Sequence, residues 1–144
     1  MVRNPHCVFC KIVAAELPSS VVYEDESLIA FLDVNPLAEG HLLVLPRDHY
    51  ERLTDLPSTL CSRVSAALPM LARALMKVTG TEGLNLLQSN GRVAGQVVDH
   101  VHFHMIPRLK DDGLGFRWTA GTYPSGRADQ IAADLQVALA RPEA

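Results

Sequence analysis

Three of the chain's six histidines fall at alternate positions in Asp99-His100-Val101-His102-Phe103-His104-Met105-Ile106-Pro107-Arg108. A strand period of two puts His100, His102 and His104 on one face and Val101, Phe103 and Met105 on the other, which is then core. Near neutral pH an imidazole can serve as nucleophile, acid, base or metal ligand, so a face built only of imidazoles points to chemistry. The preceding loop, Asn90-Gly91-Arg92-Val93-Ala94-Gly95-Gln96, adds a cationic Arg92, the amide of Gln96 and glycines that let backbone N–H groups approach a phosphate. Far from it in sequence, Cys7 and Cys10 form a C-x-x-C. That pair admits a redox role, a disulfide, or two of the roughly four N or S ligands that zinc takes. A redox pair normally follows a strand, and almost no chain precedes Cys7. Cys61 reads as a plain thiol on a helix.

Periodicity and chain breakers give the elements that must position these groups. Ile12, Val13, Ala14 and Leu17 suit a short amphipathic helix over Lys11 to Leu17, stopped by Pro18. Val21 to Glu24 and Leu28 to Leu32 are rich in β-branched and aromatic residues and read as a hairpin. His41 to Leu45 is an apolar strand ended by Pro46. Asp55 as N-cap and Pro57 in the first turn open a long helix, with Leu60, Val64, Leu68, Leu71, Leu75 and Val78 on one face and Gly80 as its stop. Pro69 lies inside it, so a kink or a break is expected there. Gly83 to Gln88 reads as a strand, Val97 to Ile106 as the histidine strand, and Ala128 to Ala140 as a closing helix. The fold class is α+β: a mainly antiparallel sheet of about five strands with one long helix and a C-terminal helix.

The totals narrow the setting. A chain of 144 residues, 48% hydrophobic and 20% charged, is expected to form one domain over 1–144, with its core in 7–108 and a tail over 109–144. A net charge of −3 argues against a broad footprint for a nucleic-acid polymer, while a small anionic ligand in a local pocket fits. The start lacks an apolar leader and no run is long enough to span a membrane, so a cytoplasmic protein is expected. Three cysteines suit a reducing compartment.

His100-Val101-His102-Phe103-His104-Met105-Ile106, with Gly95-Gln96 ahead of it, resembles the signature of the histidine-triad (HIT) superfamily. Phe9-Cys10-Lys11-Ile12-Val13, Tyr23-Glu24-Asp25, Ala30-Phe31-Leu32-Asp33, Gly40-His41-Leu42-Leu43-Val44-Leu45-Pro46 and His49 are similar to its bacterial Hint-like branch. The resemblance implies a HIT-like fold and a hydrolase that cleaves at the α-phosphate of nucleoside phosphoramidates or dinucleoside polyphosphates. It would act through a covalent nucleotidyl-histidine and release a nucleoside monophosphate. The same intermediate would serve a phosphorylase, and a nucleotide-binding scaffold with residual hydrolysis is the alternative from another class. By resemblance His102 is the nucleophile, His104 and His41 line the phosphate site, and Gln96 contacts the phosphate. Ser89, Asn90 and Gly95 fall on the phosphate side. Asp33 matches a residue that accepts from the ribose hydroxyls, and Phe9, Ile12, Leu17, Phe31, Leu32 and Val34 match an apolar slot for a purine base. Some bacterial relatives hold a structural zinc with residues matching Cys7, Cys10, His49 and His100; no organic cofactor is implied, and homodimers are usual. Val97 stands where many relatives have a hydroxyl residue, and the tail with Gly113, Phe116 and Trp118 departs from the animal pattern.

Overall fold

The structure, a computed structural model, describes residues 2–115 and 119–140, so Phe116 and Trp118 of the tail lie outside the described residues. By contacts the chain divides into two units, Met1–Leu114 and Gly115–Ala144. The first holds a five-stranded sheet in the order β1-β2-β3-β5-β4, every neighbouring pair antiparallel. Its strands are β1 (Val21–Glu24), β2 (Leu28–Leu32), β3 (Leu42–Pro46), β4 (Gly83–Gln88) and β5 (Phe103–Arg108), with helices α1 (Val8–Val13) and α2 (Ser58–Thr79). The α+β reading, the β1–β2 hairpin and the bounds of β1, β2 and β4 are as expected from sequence.

The middle of the sheet is covered on both faces, which is why β2 and β3 read as continuous apolar runs and not as alternating ones. On one face Phe9, Cys10 and Val13 of α1 pack with Ile29, Phe31, Leu43 and Leu45. On the other, Val64 and Leu71 of α2 pack with Leu28, Ala30, Leu42, Val44, Phe103 and Met105. Ala67, Leu68, Ala72 and Leu75 complete the α2 stripe at helical spacing, whereas Val78, expected on it, is 85% exposed. Register then fixes the chemistry: His104 on β5 is paired with Leu43 of β3 and Leu87 of β4, so its side chain shares their face, opposite Met105.

Several expected bounds move, each for a local reason. α1 starts at the C-x-x-C, with Cys7 as its N-cap, and stops at Ala14 because Ala15 takes a left-handed conformation (φ 58°). It therefore does not run over Lys11 to Leu17. Asp55 closes a preceding 3-10 turn, its carboxylate accepting from the Arg52 N–H, and α2 begins after Pro57. α2 continues through Pro69 as a single 22-residue helix; Pro69 and Ser65, whose carbonyl loses its partner, are both exposed, so water can take that carbonyl. The histidine strand begins only at Phe103. Before it, the Val101 N–H donates to the Tyr50 carbonyl and the His100 N–H to that of Val98, which takes these residues out of the ladder. Pro46 is the last residue of β3, and Gly80 closes α2 in the left-handed conformation that its expected role as a stop requires.

In the second unit, α3 (Arg127–Leu139) begins and ends one residue before the expected bounds and has no buried residue. No described helix is long and apolar enough to cross a membrane.

Candidate active site and metal centre

His100, His102 and His104 are held by different elements and face different neighbours. The ring of His102 is 6% exposed, and its Nδ1 lies 2.6 Å from the His100 carbonyl. A carbonyl can only accept, so Nδ1 carries the proton and the Nε2 lone pair is left uncommitted. The ring edge meets Phe9 at 5.1 Å and His104 at 4.8 Å between centroids. Burial lowers the His102 pKa, against opposing effects of the His100 carbonyl and Asp33, which favours the neutral, nucleophilic ring.

A chain of backbone and ring contacts sets the next two tautomers. The Leu37 N–H donates to His41 Nδ1 (3.1 Å), so the His41 proton sits on Nε2, which donates to His104 Nδ1 at 2.8 Å. His104 in turn keeps its proton on Nε2. Burial lowers the pKa of both; for His104, with His102 and His41 adding to the effect, it falls to about 4. Asp33 Oδ2 lies 3.8 Å from His41 Nδ1 and opposes that shift in His41, while Asp33 Oδ1 accepts from the Asn35 N–H.

These rings form the floor of a cleft of about 610 Å³. Phe9, Ile12, Phe31, Leu32, Asp33 and Val34 line it from the early part of the chain, and Ser89, Ala94, Gly95, Val97 and Val98 from the segment before the histidines. The volume falls in the range of small-molecule sites. Of the residues expected around a nucleotide, Leu17 is not part of the lining. Gln96 is not either: its oxygen accepts from the Gly91 N–H and its NH₂ donates to the Glu51 and Val98 carbonyls, so this amide braces the loop. Asn90 likewise turns away, accepting from the Leu53 N–H and donating to Gln88. Leu37, Leu43, Leu87, Pro18 and Ser19 also line the cleft and carry no signal in the sequence. Nor do the carbonyls of Tyr50, Glu51 and Pro46, which hold the loop and the histidine segment through backbone groups common to every residue.

Beside this floor the fold gathers Cys7, Cys10, His49 and His100, whose donor atoms all lie within 4.8 Å of one another. His100, with 0% exposure, donates from Nε2 to the Pro46 carbonyl (2.9 Å), which leaves Nδ1 as a lone pair facing Cys7 Sγ at 3.6 Å and Cys10 Sγ at 3.7 Å. His49 Nδ1 is 3.4 Å from Cys10 Sγ. A tetrahedral metal with two sulfur and two nitrogen ligands needs donor separations of about 3.3–3.8 Å, so these residues fit a metal ion. A backbone carbonyl on the far nitrogen of His100 is the usual outer support of a metal-bound imidazole. Burial raises the Cys7 thiol pKa, a cost that a bound cation offsets.

Residues 14–111 match the HIT domain family. The adenosine 5'-monophosphoramidase of Candida albicans is 37% identical over 98% of this chain and 96% of its own length. A HIT family protein from Bacillus subtilis has a solved structure with a TM-score of 0.87 and 38% identity, covering 92% of this chain and 96% of that one. A zinc-bound histidine triad family protein from Mycobacterium smegmatis gives a TM-score of 0.73 and 37% identity, covering 92% of this chain and 97% of that one. Family match, fold and triad geometry agree: the chain belongs to the HIT domain family.

Proposed function

We propose that the protein is a nucleotide hydrolase acting on nucleoside phosphoramidates through a covalent nucleotidyl-His102. The observation that carries the reading is the 2.6 Å hydrogen bond from His102 Nδ1–H to the His100 carbonyl, which directs the reactive lone pair to Nε2 in a ring that lines the cleft. The monophosphoramidase name of the Candida relative supports the substrate class. In the first step Nε2 attacks the α-phosphorus, the P–N bond breaks, and the amine leaves with a proton drawn from solvent. Water then attacks phosphorus and gives up a proton, the P–Nε2 bond breaks, and a nucleoside monophosphate departs with His102 neutral again. His104, protonated on Nε2 and fixed by His41, donates to a phosphoryl oxygen in both steps. The cleft wall of Phe31, Leu32 and Val34 takes the purine, and Asp33 takes the ribose hydroxyls.

We further infer that the four-donor centre holds zinc, since two thiolates and two imidazoles are its common structural ligand set, and that it contributes folding free energy. A homodimer is part of the same reading, supported by the position of β4 at an edge of the sheet, where Leu86 is 51% exposed. The deciding experiment is a substrate panel of adenosine and guanosine phosphoramidates and dinucleoside polyphosphates, run with and without inorganic phosphate. Amine release with nucleoside monophosphate as product, independent of phosphate, supports the hydrolase. A nucleoside diphosphate formed only with phosphate points to a phosphorylase, and no turnover of any substrate sinks the enzyme reading.

A further inference from the structure

Phe9 lies between the two cysteines in sequence and between the metal centre and the nucleophile in space. Its ring is 7% exposed and meets three others: His102 at 5.1 Å and 85°, His100 at 6.0 Å and 66°, and Phe31 at 5.6 Å and 71°. An edge-on ring at that spacing restricts rotation of the imidazole it touches. Phe9 is carried by α1, a helix of six residues whose N-cap, Cys7, makes no side-chain capping bond. A helix this short holds no fixed position by itself. Its anchors are its buried side chains and the donor atoms Cys7 and Cys10. The second link is His100 itself, whose ring presents Nδ1 to both sulfurs while its backbone carbonyl accepts from His102 Nδ1. Thiol contacts of 3.6 and 3.7 Å are weak restraints on that ring, whereas bonds to one shared cation fix it.

We propose that the Cys7, Cys10, His49 and His100 centre positions the nucleophile as well as stabilising the fold, with Phe9 and the His100 carbonyl as the two links to His102. Phe9 is then a positioning residue and not mainly part of the base slot. Metal occupancy sets how firmly His102 is held in its Nδ1–H form and aimed at phosphorus. The inference rests on His102 as nucleophile, yet its primary readout needs no turnover.

The test compares zinc-loaded protein, chelator-treated protein and zinc-loaded Phe9→Leu. Long-range ¹H–¹⁵N spectra report the His102 tautomer, and adenosine phosphoramidate hydrolysis gives kcat and KM separately. Removing zinc is expected to turn a single Nδ1–H tautomer into a mixture and to lower kcat on the order of tenfold or more, with KM changed less than about twofold, and added zinc should restore both. Phe9→Leu, with zinc content confirmed, should lower kcat several-fold while KM holds. An unchanged tautomer and kcat in folded metal-free protein would overturn the proposal. Should the metal-free chain unfold, Phe9→Leu decides: kcat and tautomer equal to wild type in the zinc-loaded variant defeat it. A tautomer shift in a protein that hydrolyses no phosphoramidate would remove the proposed function and leave the positioning link standing.

Discussion

Replacing His104 by glutamine should flatten the dependence of stability on acid pH. His104 is partly buried, flanked by two further imidazoles, and its folded-state pKa lies near 4 against 6.5 when unperturbed. As pH falls through this window the unfolded chain takes up a proton that the folded chain refuses, so the unfolded state binds more protons and stability drops. Integrating between those two values, this one ring removes ~2 kcal/mol between pH 7.5 and pH 5, and ~3 kcal/mol by pH 4. Glutamine cannot titrate, and its oxygen can still accept from His41 Nε2–H, so the 2.8 Å contact has a substitute. Urea unfolding of both proteins at fixed zinc, at pH 7.5, 6 and 5, gives the comparison. Acid also protonates the metal ligands, but it does so in both proteins and cancels in the difference. Wild type should lose ~2 kcal/mol more than the variant over this range; parallel losses would refute a buried, neutral His104.

Cys7→Ser should release the metal and lower the midpoint of thermal unfolding, because a metal that binds only the folded chain contributes folding free energy; calorimetry with metal analysis checks it. A metal-free wild type, purified without chelator, would count against the centre itself. Gly40 has φ 84°, and a Cβ there would meet Thr79 Cγ2 at 2.7 Å and Leu75 Cδ1 at 3.0 Å, so Gly40→Ala should destabilise by about 2–4 kcal/mol in urea unfolding. Pro69→Ala restores a helix hydrogen bond on an exposed face of α2 and should stabilise by about 1–3 kcal/mol.

Much of the fold is legible because the sheet's apolar runs and the α2 stripe are long and end at strong breakers such as Gly80. The errors fall where tertiary contacts override local pattern. Period-two alternation put His100 and His102 in a strand, but bonds from Tyr50 and Val98 remove them from the ladder. The helix near the C-x-x-C begins earlier than its apolar period suggests, because its buried face, Phe9, Cys10 and Val13, includes one of the cysteines itself. At the site, residue types and spacing mark the histidines and cysteines as reactive. They do not reveal tautomers, which depend on the Leu37 N–H and the Pro46 and His100 carbonyls, distant or generic backbone groups. Gln96 shows the converse: a polar side chain beside the triad whose hydrogen bonds all go to backbone.

Trapping of the acid-labile histidine adduct bears most directly on the nucleophile. Protein mixed with an adenosine phosphoramidate is quenched early under mildly alkaline conditions, digested, and mapped by mass spectrometry, beside His102→Ala treated identically. A nucleoside monophosphate on the peptide carrying His102, on Nε2 by fragmentation and NMR, with no adduct and no turnover in the variant, is the predicted result. An adduct on another residue, or substantial turnover by His102→Ala, would contradict it.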